Sequence, residues 1–361
     1  MTPLEAEIRR IVAADGPISV GQYMTLCLAH PVHGYYVSRD PFGAAGDFIT
    51  APEISQMFGE LIGLWAAAVW RQMGAPDELA LVELGPGRGT LMADALRAAK
   101  VMPGFLSALE VHLVETSPAL QRRQQETLAG IGLPLFWHRD FAEVPEHALI
   151  AIANEFVDAL PVEQAVRGPN GWHQRMVGLD DEGRLAIALS PDRMRAADLV
   201  IPPGVRAAAV GSVFEHRSDR PIVELAERIV DHGGAALVID YGHAESAIGE
   251  TLQAVGHHTF ARPLERPGEV DLTAHVDFAA FATAARQAGA TTYGPVPQGL
   301  FLARLGLFQR TDRLARMQPP AKAAALIEAT RRLAEPHRMG RLFKALVLTA
   351  AACPTPPGFE A

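Results

Sequence analysis

The sequence predicts an α/β protein built on a mostly parallel sheet with helices on both faces, preceded by a helical N-terminal segment and carrying an inserted β lobe. Three observations point there. The apolar run Leu79-Ala80-Leu81-Val82 leads into Glu83-Leu84-Gly85-Pro86-Gly87-Arg88-Gly89-Thr90, and a helical stretch follows over 91–100. That is a strand, a tight turn and a helix whose first N–H groups are free to meet a ligand. Two further strands, 111–114 and 133–137, each run into an acid, Glu115 and Asp140, and buried-strand runs recur at 148–153 and 234–242 between helical patterns.

In chain order, residues 1–78 read as helical around a glycine-bearing loop. Ser19 is a cap before an apolar-periodic run, and 55–70 is a second helix. Between them lie Tyr35, Tyr36 and the loop 42–53, whose Asp47, Phe48, Thr50 and Glu53 are placed to close over a ligand as a lid. Residues 79–165 form the first half of the ligand-binding core. Over 166–221 the pattern changes to short alternating stretches, 172–177 and 184–189, separated by Asp180-Asp181-Glu182-Gly183, a hairpin signature within an inserted β-rich lobe. Residues 222–352 return to the core with a helix at 221–232, the strand 234–242, a helix at 276–288 and late strands at 300–308 and 343–350, and 353–361 is a proline-bearing tail.

Composition narrows the function classes. A chain of 361 residues has ample core for one large domain with additions, and an apolar fraction of 49% is ordinary for a globular protein. The formal net charge of -9 argues against a nucleic-acid binder and accommodates a cationic substrate more easily. No apolar run reaches the roughly 20 residues of a bilayer span, and the most apolar stretch, 61–70, reads as a buried helix, so membrane insertion is not expected. Cys27 and Cys353 are the only cysteines, and the first 16 residues lack the features of a secretory or transit signal, which together predict a reducing, cytoplasmic setting. His257 and His258, with His243 and His275 nearby, show no metal-ligand spacing, and no metal is expected.

The glycine spacing chooses the ligand. A dinucleotide fingerprint places its third glycine where this chain has Thr90; here the pattern is G-x-G-x-G led by an acid. That form resembles motif I of class I S-adenosylmethionine-dependent methyltransferases, a Rossmann-like fold. S-adenosylmethionine has no pyrophosphate, and its cationic methionine end calls for a carboxylate such as Glu83 beside Gly85, Gly87 and Gly89. Glu115 is placed for the ribose hydroxyls, and Asp140 for the adenine amino group with Phe141 packed nearby.

The loop Asn154-Glu155-Phe156-Val157-Asp158-Ala159-Leu160-Pro161 follows the fourth strand, where the crevice of an open α/β sheet lies. Two carboxylates gripping a guanidinium concentrate its charge on some nitrogens and leave another more nucleophilic. Glu155 and Glu163 are the candidate pair, with Asp158 a third carboxylate. The layout resembles the double-glutamate loop of protein arginine methyltransferases, one residue shorter and with Pro161 between the acids.

Over nearly its full length the chain resembles the MidA family. The matching segments include Gly21-Gln22-Tyr23-Met24, His33-Gly34-Tyr35-Tyr36, residues 46–55, the motif at 83–90, Val114-Glu115-Thr116-Ser117-Pro118, residues 154–161 and 271–278. The resemblance implies a class I methyltransferase fold with extra lobes. It also implies a protein substrate: symmetric dimethylation of an arginine on the quinone-proximal hydrophilic subunit of respiratory complex I, in support of its assembly. Transfer to another nucleophile, with Asn154 accepting from a planar amine and Phe156 stacking on it, and a non-catalytic assembly factor that binds S-adenosylmethionine are the alternatives.

Overall fold

A computed structural model describes all residues except 39–49, 196, 257–258 and 361. The apolar runs of the sequence become a central sheet of β1 (Leu79–Leu84), β2 (Leu109–Val114), β3 (Leu135–His138), β4 (Leu149–Asn154), β9 (Gly234–His243), β10 (Thr291–Pro297) and β11 (Phe343–Thr349). Their order across the sheet is 3-2-1-4-9-11-10, with Val276–Asp277 adding a short pairing to β9. Strands β3, β2, β1, β4 and β9 are mutually parallel, and β11 is antiparallel to both its neighbours.

Side chains of these strands alternate between two apolar layers. Leu81, Ile150, Ile152, Leu237, Ile239 and Val347 face one layer; Val82, Ala151, Val238, Leu346 and Leu348 face the other. Burial on both faces explains why the strands read as continuous apolar runs rather than as alternating ones. The first layer is closed by α3 (Gln56–Gln72), α4 (Thr90–Ala99) and the helices α8 (Gln298–Arg304), α9 (Leu307–Ala315) and α10 (Pro320–Ala334); the second by α6 (Arg220–His232) and α7 (Phe278–Gln287). Between β2 and β3 runs α5 (Pro118–Thr127). Within the first layer the buried Glu60 of α3 accepts from Arg97 of α4 and from Arg310 of α9, at 2.8 and 3.0 Å, so three helices share one carboxylate. The run 300–308, expected as a strand, falls in α8, α9 and the turn between them. An apolar run of that length has the same composition in a buried helix, and the edge strand of this region is β10 instead.

A second sheet holds β5 (Val162–Gly168), β6 (Gly171–Leu179), β7 (Leu185–Arg193) and β8 (Val213–Arg217), all antiparallel, with Ile18–Ser19 paired to β6. The expected hairpin is β6–β7, turned by Asp180, whose carboxylate accepts the N–H groups of Glu182 and Arg184. Against this sheet pack α1 (Pro3–Asp15) and α2 (Val20–Ala29), in one apolar cluster with Tyr35, Val162, Val177 and Leu272. Ser19 caps α2 in a capping box with Gln22.

Arg217, at the end of β8, ties the second sheet to the first. Its guanidinium donates to the carbonyls of Leu160, His275, Asp158 and Ala274, so it threads the chain that leaves β4 onto the segment preceding α7. Replacing it with methionine leaves these four acceptors without their donor. The expected cost is about 3 kcal/mol of unfolding free energy, read from urea denaturation midpoints.

Candidate active site

The parallel register sets the carboxyl ends of four strands side by side. Leu84 lies opposite Ala153 and Val114, and Asn154 opposite Ile239. The residues at these ends are Glu83 on β1 with Gly85 just after it, Glu115 after β2, Asn154 on β4 with Glu155 just after it, and Asp240 on β9.

From β1 the chain turns through Gly85, Gly87 and Gly89, all in the left-handed region at φ 64°, 53° and 79°. The N–H of Gly85 is held by the carbonyl of Val114 at 3.1 Å, and a Cβ at this position would come within 2.6 Å of the Phe156 ring. Glycine here thus serves both the backbone angle and the close approach of the β4 loop. Gly89 is the N-cap of α4 and supplies no side-chain partner, so the first N–H groups of that helix stay available.

Glu83 is 3% exposed, and its Oε2 has no hydrogen-bond partner among the described residues; burial pushes its pKa up to about 8. Asn154 is likewise buried, with Oδ1 unpartnered among the described residues. Glu155 adopts φ 49°, its N–H bonded to the Ile239 carbonyl at 2.9 Å. Its Oε1 accepts from the Ala51 N–H at 2.7 Å and from the Asn154 amide at 3.4 Å. Burial first, and the neighbouring Asp158 carboxylate second, raise its pKa to about 7 against these donors.

The short helix Ala51–Ile54 covers these groups from the N-terminal segment. Besides the Ala51 bond to Glu155, Glu53 accepts from the Thr90 hydroxyl at 2.7 Å. Thr50, Pro52, Glu53, the glycine turn, Asn154 and Glu155 line a cleft that opens to solvent. Asp47 and Phe48 of the expected lid lie outside the described residues. Tyr35 and Tyr36 are packed edge to face beside α2, with the Tyr36 hydroxyl donating to Asp271 at 3.0 Å.

A bracket ties Glu115 to the glycine turn. Its two oxygens accept from the Ser117 N–H at 2.8 Å and the Gln124 amide at 3.1 Å, and Gln124 also donates to the Gly87 carbonyl at 2.8 Å and accepts from Trp137 at 2.9 Å. The Thr116 N–H is a further donor to this carboxylate. Asp140 is exposed after β3 and caps the turn Phe141–Glu143 through the Ala142 N–H; Phe141 is buried in the second apolar layer with the Arg228 guanidinium 5.1 Å from its ring centre.

The other two acids of the loop are engaged elsewhere. Asp158 is buried behind Glu155, its carboxyl raised by burial and countered by the Tyr241 hydroxyl and Arg217. Glu163, on β5, accepts from the Ser19 hydroxyl at 2.6 Å, the Gly21 N–H at 3.3 Å and the Gln174 amide at 3.2 Å. Among the described residues it shares no hydrogen-bond partner with Glu155, and a Cβ on Gly21 would collide with it at 2.5 Å. Sequence reasoning overlooked Asp240. Its carboxylate, fully buried, accepts the N–H groups of Val157 and Asp158 at 2.9 and 3.1 Å and that of Tyr241 at 2.8 Å, and so holds the β4 loop against β9. Burial and the adjoining Asp158 push it well above the usual carboxylate range. The signal for it was an acid at a strand tip, the same signal that marks Glu83 and Glu115. Gln124, nine positions after Glu115 on an amphipathic helix, carried no such mark.

Comparison with known proteins agrees with this geometry. The family model for S-adenosyl-L-methionine-dependent methyltransferases matches residues 61–296. The mitochondrial protein arginine methyltransferase NDUFAF7 of Danio rerio is 38% identical, the match covering 92% of this chain and 83% of the relative. Its Drosophila melanogaster homolog is 37% identical over 96% and 84%, and the human protein 35% identical over 96% and 83%. A Burkholderia thailandensis protein solved with S-adenosyl-homocysteine bound superposes with a TM-score of 0.85 at 28% identity, over 99% of this chain and 94% of that one. The cytoplasmic expectation is corrected by these relatives, which are named mitochondrial. Scarce cysteines report a reducing setting but do not distinguish one reducing compartment from another.

The orphaned Glu83 oxygen and the glycine turn fit a cofactor with a cationic amino-acid end. An ammonium favours the Glu83 carboxylate and lowers its pKa from about 8, so binding below that pH releases a proton. The affinity for S-adenosyl-homocysteine is expected to rise with pH by up to roughly tenfold per unit until about pH 8 and then level off. Glu83→Gln removes this slope, and Gly87→Val removes binding; calorimetry in buffers of different ionisation enthalpy reads both. A wild-type slope that Glu83→Gln retains would exclude Glu83 as the ammonium acceptor.

Proposed function

The chain belongs to the S-adenosyl-L-methionine-dependent methyltransferase family, and on that premise we propose that it methylates arginine on a protein substrate, symmetrically dimethylating one arginine on the quinone-proximal hydrophilic subunit of respiratory complex I in support of its assembly. The observation that carries the chemistry is Glu155: a carboxyl at the tip of β4, beside the cofactor cleft, in a left-handed backbone conformation that only a held loop sustains. Arginine methyltransferase is also the activity named for the relatives that match this chain along its length.

When bound, S-adenosylmethionine supplies a methyl group on a sulfonium, open to in-line attack. Glu83 would hold the ammonium, Glu115 the ribose hydroxyls and Asp140 the adenine amino group beside Phe141. Glu155 is proposed to receive the guanidinium, its negative charge drawing positive charge to the nitrogens it contacts and leaving the attacking one richer in lone-pair density. Asn154, whose Oδ1 is unpartnered, accepts a second guanidinium N–H. Asp158 acts from behind through the loop it shares with Glu155. Glu163 is proposed to act at a distance, by holding the start of α2 to the second sheet.

One observation favours a second reading. An unpartnered asparagine oxygen beside the cleft equally suits a planar amine other than guanidinium, although the Phe156 ring assigned to stack on it covers Gly85 instead. Incubation of an extract lacking this protein with isotopically labelled S-adenosylmethionine separates the two. Label in a single arginine of complex I supports the first reading, and label on another residue type removes it.

Two variants divide the roles of Glu155. Glu155→Gln keeps an acceptor for the Ala51 N–H but loses the charge, so kcat is expected to fall by at least about 100-fold with cofactor affinity changed less than about threefold. Glu155→Ala also frees Ala51 and weakens cofactor binding. Because only the ionised group grips a cation, wild-type kcat/KM should climb with pH through about 7, the raised pKa of Glu155. Normal turnover by Glu155→Gln would rule the grip out.

A further inference from the structure

At the opposite end of the sheet from the cleft, three side chains converge that the methyl-transfer chemistry does not use. Glu110 and His112 alternate along β2 and so point to the same face, and His147 sits in the connection just before β4. One ligand atom from each lies within 4.8 Å of the others, with the His112 Nε2 to Glu110 Oε2 distance at 3.7 Å. His112 is 1% exposed, yet among the described residues its Nε2 has no hydrogen-bond partner, and neither has the buried Nε2 of His147. Two buried imidazole nitrogens beside one carboxylate and without a partner are unsatisfied as they stand.

We infer that Glu110, His112 and His147 bind one divalent transition-metal ion, zinc by preference, on the amino-terminal side of the sheet. Two imidazoles and a carboxylate form the donor set of an open tetrahedral zinc site, with water completing the fourth position. Half of Glu110 is exposed, which gives that water access. The outer shell is present too. With Nε2 given to the metal, His112 carries its proton on Nδ1 and donates it to His138 Nε2, 2.9 Å away on the neighbouring strand, the support that metal-bound histidines receive. The His112 ring is also held flat against Phe136, their centroids 5.1 Å apart. Arg228 anchors the His147 connection through the carbonyls of Val144 and Pro145 at 2.9 and 3.0 Å.

The position defines the role. β2 and β4 flank β1 on either side, so the ion would staple two strands that do not touch each other. Glu110 and Glu115 are five residues apart along an extended chain, on the order of 16 Å, which places the metal away from the reacting methyl group. It therefore stands apart from the methyl-transfer chemistry.

The test takes the full chain after exhaustive chelation and adds Zn²⁺ alone. Native mass spectrometry is expected to count one ion per chain, and thermal unfolding to shift upward with zinc concentration. His147→Ala, in a connection at the surface, should lose both the ion and the shift while binding S-adenosyl-homocysteine as the wild type does. His138→Ala should weaken zinc about 10–100-fold. If the alanine variant at 147 does not fold, Glu110→Gln at a half-exposed position serves the same comparison. No zinc on the wild type, or equal uptake and equal shift by wild type and variant, overturns the inference.

Discussion

The parallel ladder that joins β9, β4, β1 and β2 with their carboxyl ends level is the constraint on which the rest of this protein rests. Parallel neighbours require crossovers, and the crossovers put helices on both faces; both faces are then dry, and the strands must be apolar through their length. Polar side chains of these strands gather toward their carboxyl tips, Glu110 and His112 of β2 being exceptions. Glu83, Asn154 and Asp240 occupy those tips, with Glu115 and Glu155 one position beyond. A one-step register change between β1 and β4 would turn Glu83 and Asn154 toward different faces and dismantle the cleft.

Crowding acids at one end of a buried sheet has an electrostatic consequence. Glu83 and Glu155 are raised by burial to about 8 and about 7, and Asp158 and Asp240 are raised as well. The site is therefore poorly disposed to hold its full negative charge alone and well disposed to exchange protons for a cation. Both the methionine end of the cofactor and a guanidinium are cations. The net charge of the chain says nothing of this, since it sums surface groups that water screens.

The second sheet and the N-terminal helices act on the cleft through a few polar struts. Glu163 fastens the Ser19 cap and Gly21 to β5, Arg217 gathers four carbonyls around the β4 loop, and Ala51 and Glu53 bring the N-terminal segment onto Glu155 and Thr90. Asp240 is the innermost strut. It positions the loop backbone at Val157 and Asp158, and the left-handed angle at Glu155 depends on that hold. These contacts join residues up to 144 positions apart in the chain, which is why Glu163 reads in the sequence as a loop partner of Glu155 and proves in space to be a partner of Ser19.

By itself the sequence determined the α/β class, the strand at 79–84 with its glycine turn, the tip acids Glu83, Glu115 and Glu155, the hairpin of β6 and β7, and the Ser19 cap. Each of these is a local pattern: apolar runs, turn chemistry and the capping box depend on neighbours within a few residues. The tertiary structure alone decided what depends on distance in space. It set 300–308 in α8, α9 and the turn between them because a buried helix and a buried strand share one composition. It set Glu163 on the N-terminal helices, enlisted Gln124 and Asp240 as brackets, and brought Glu110, His112 and His147 together across β1, because strand order and register, not sequence separation, choose which side chains meet.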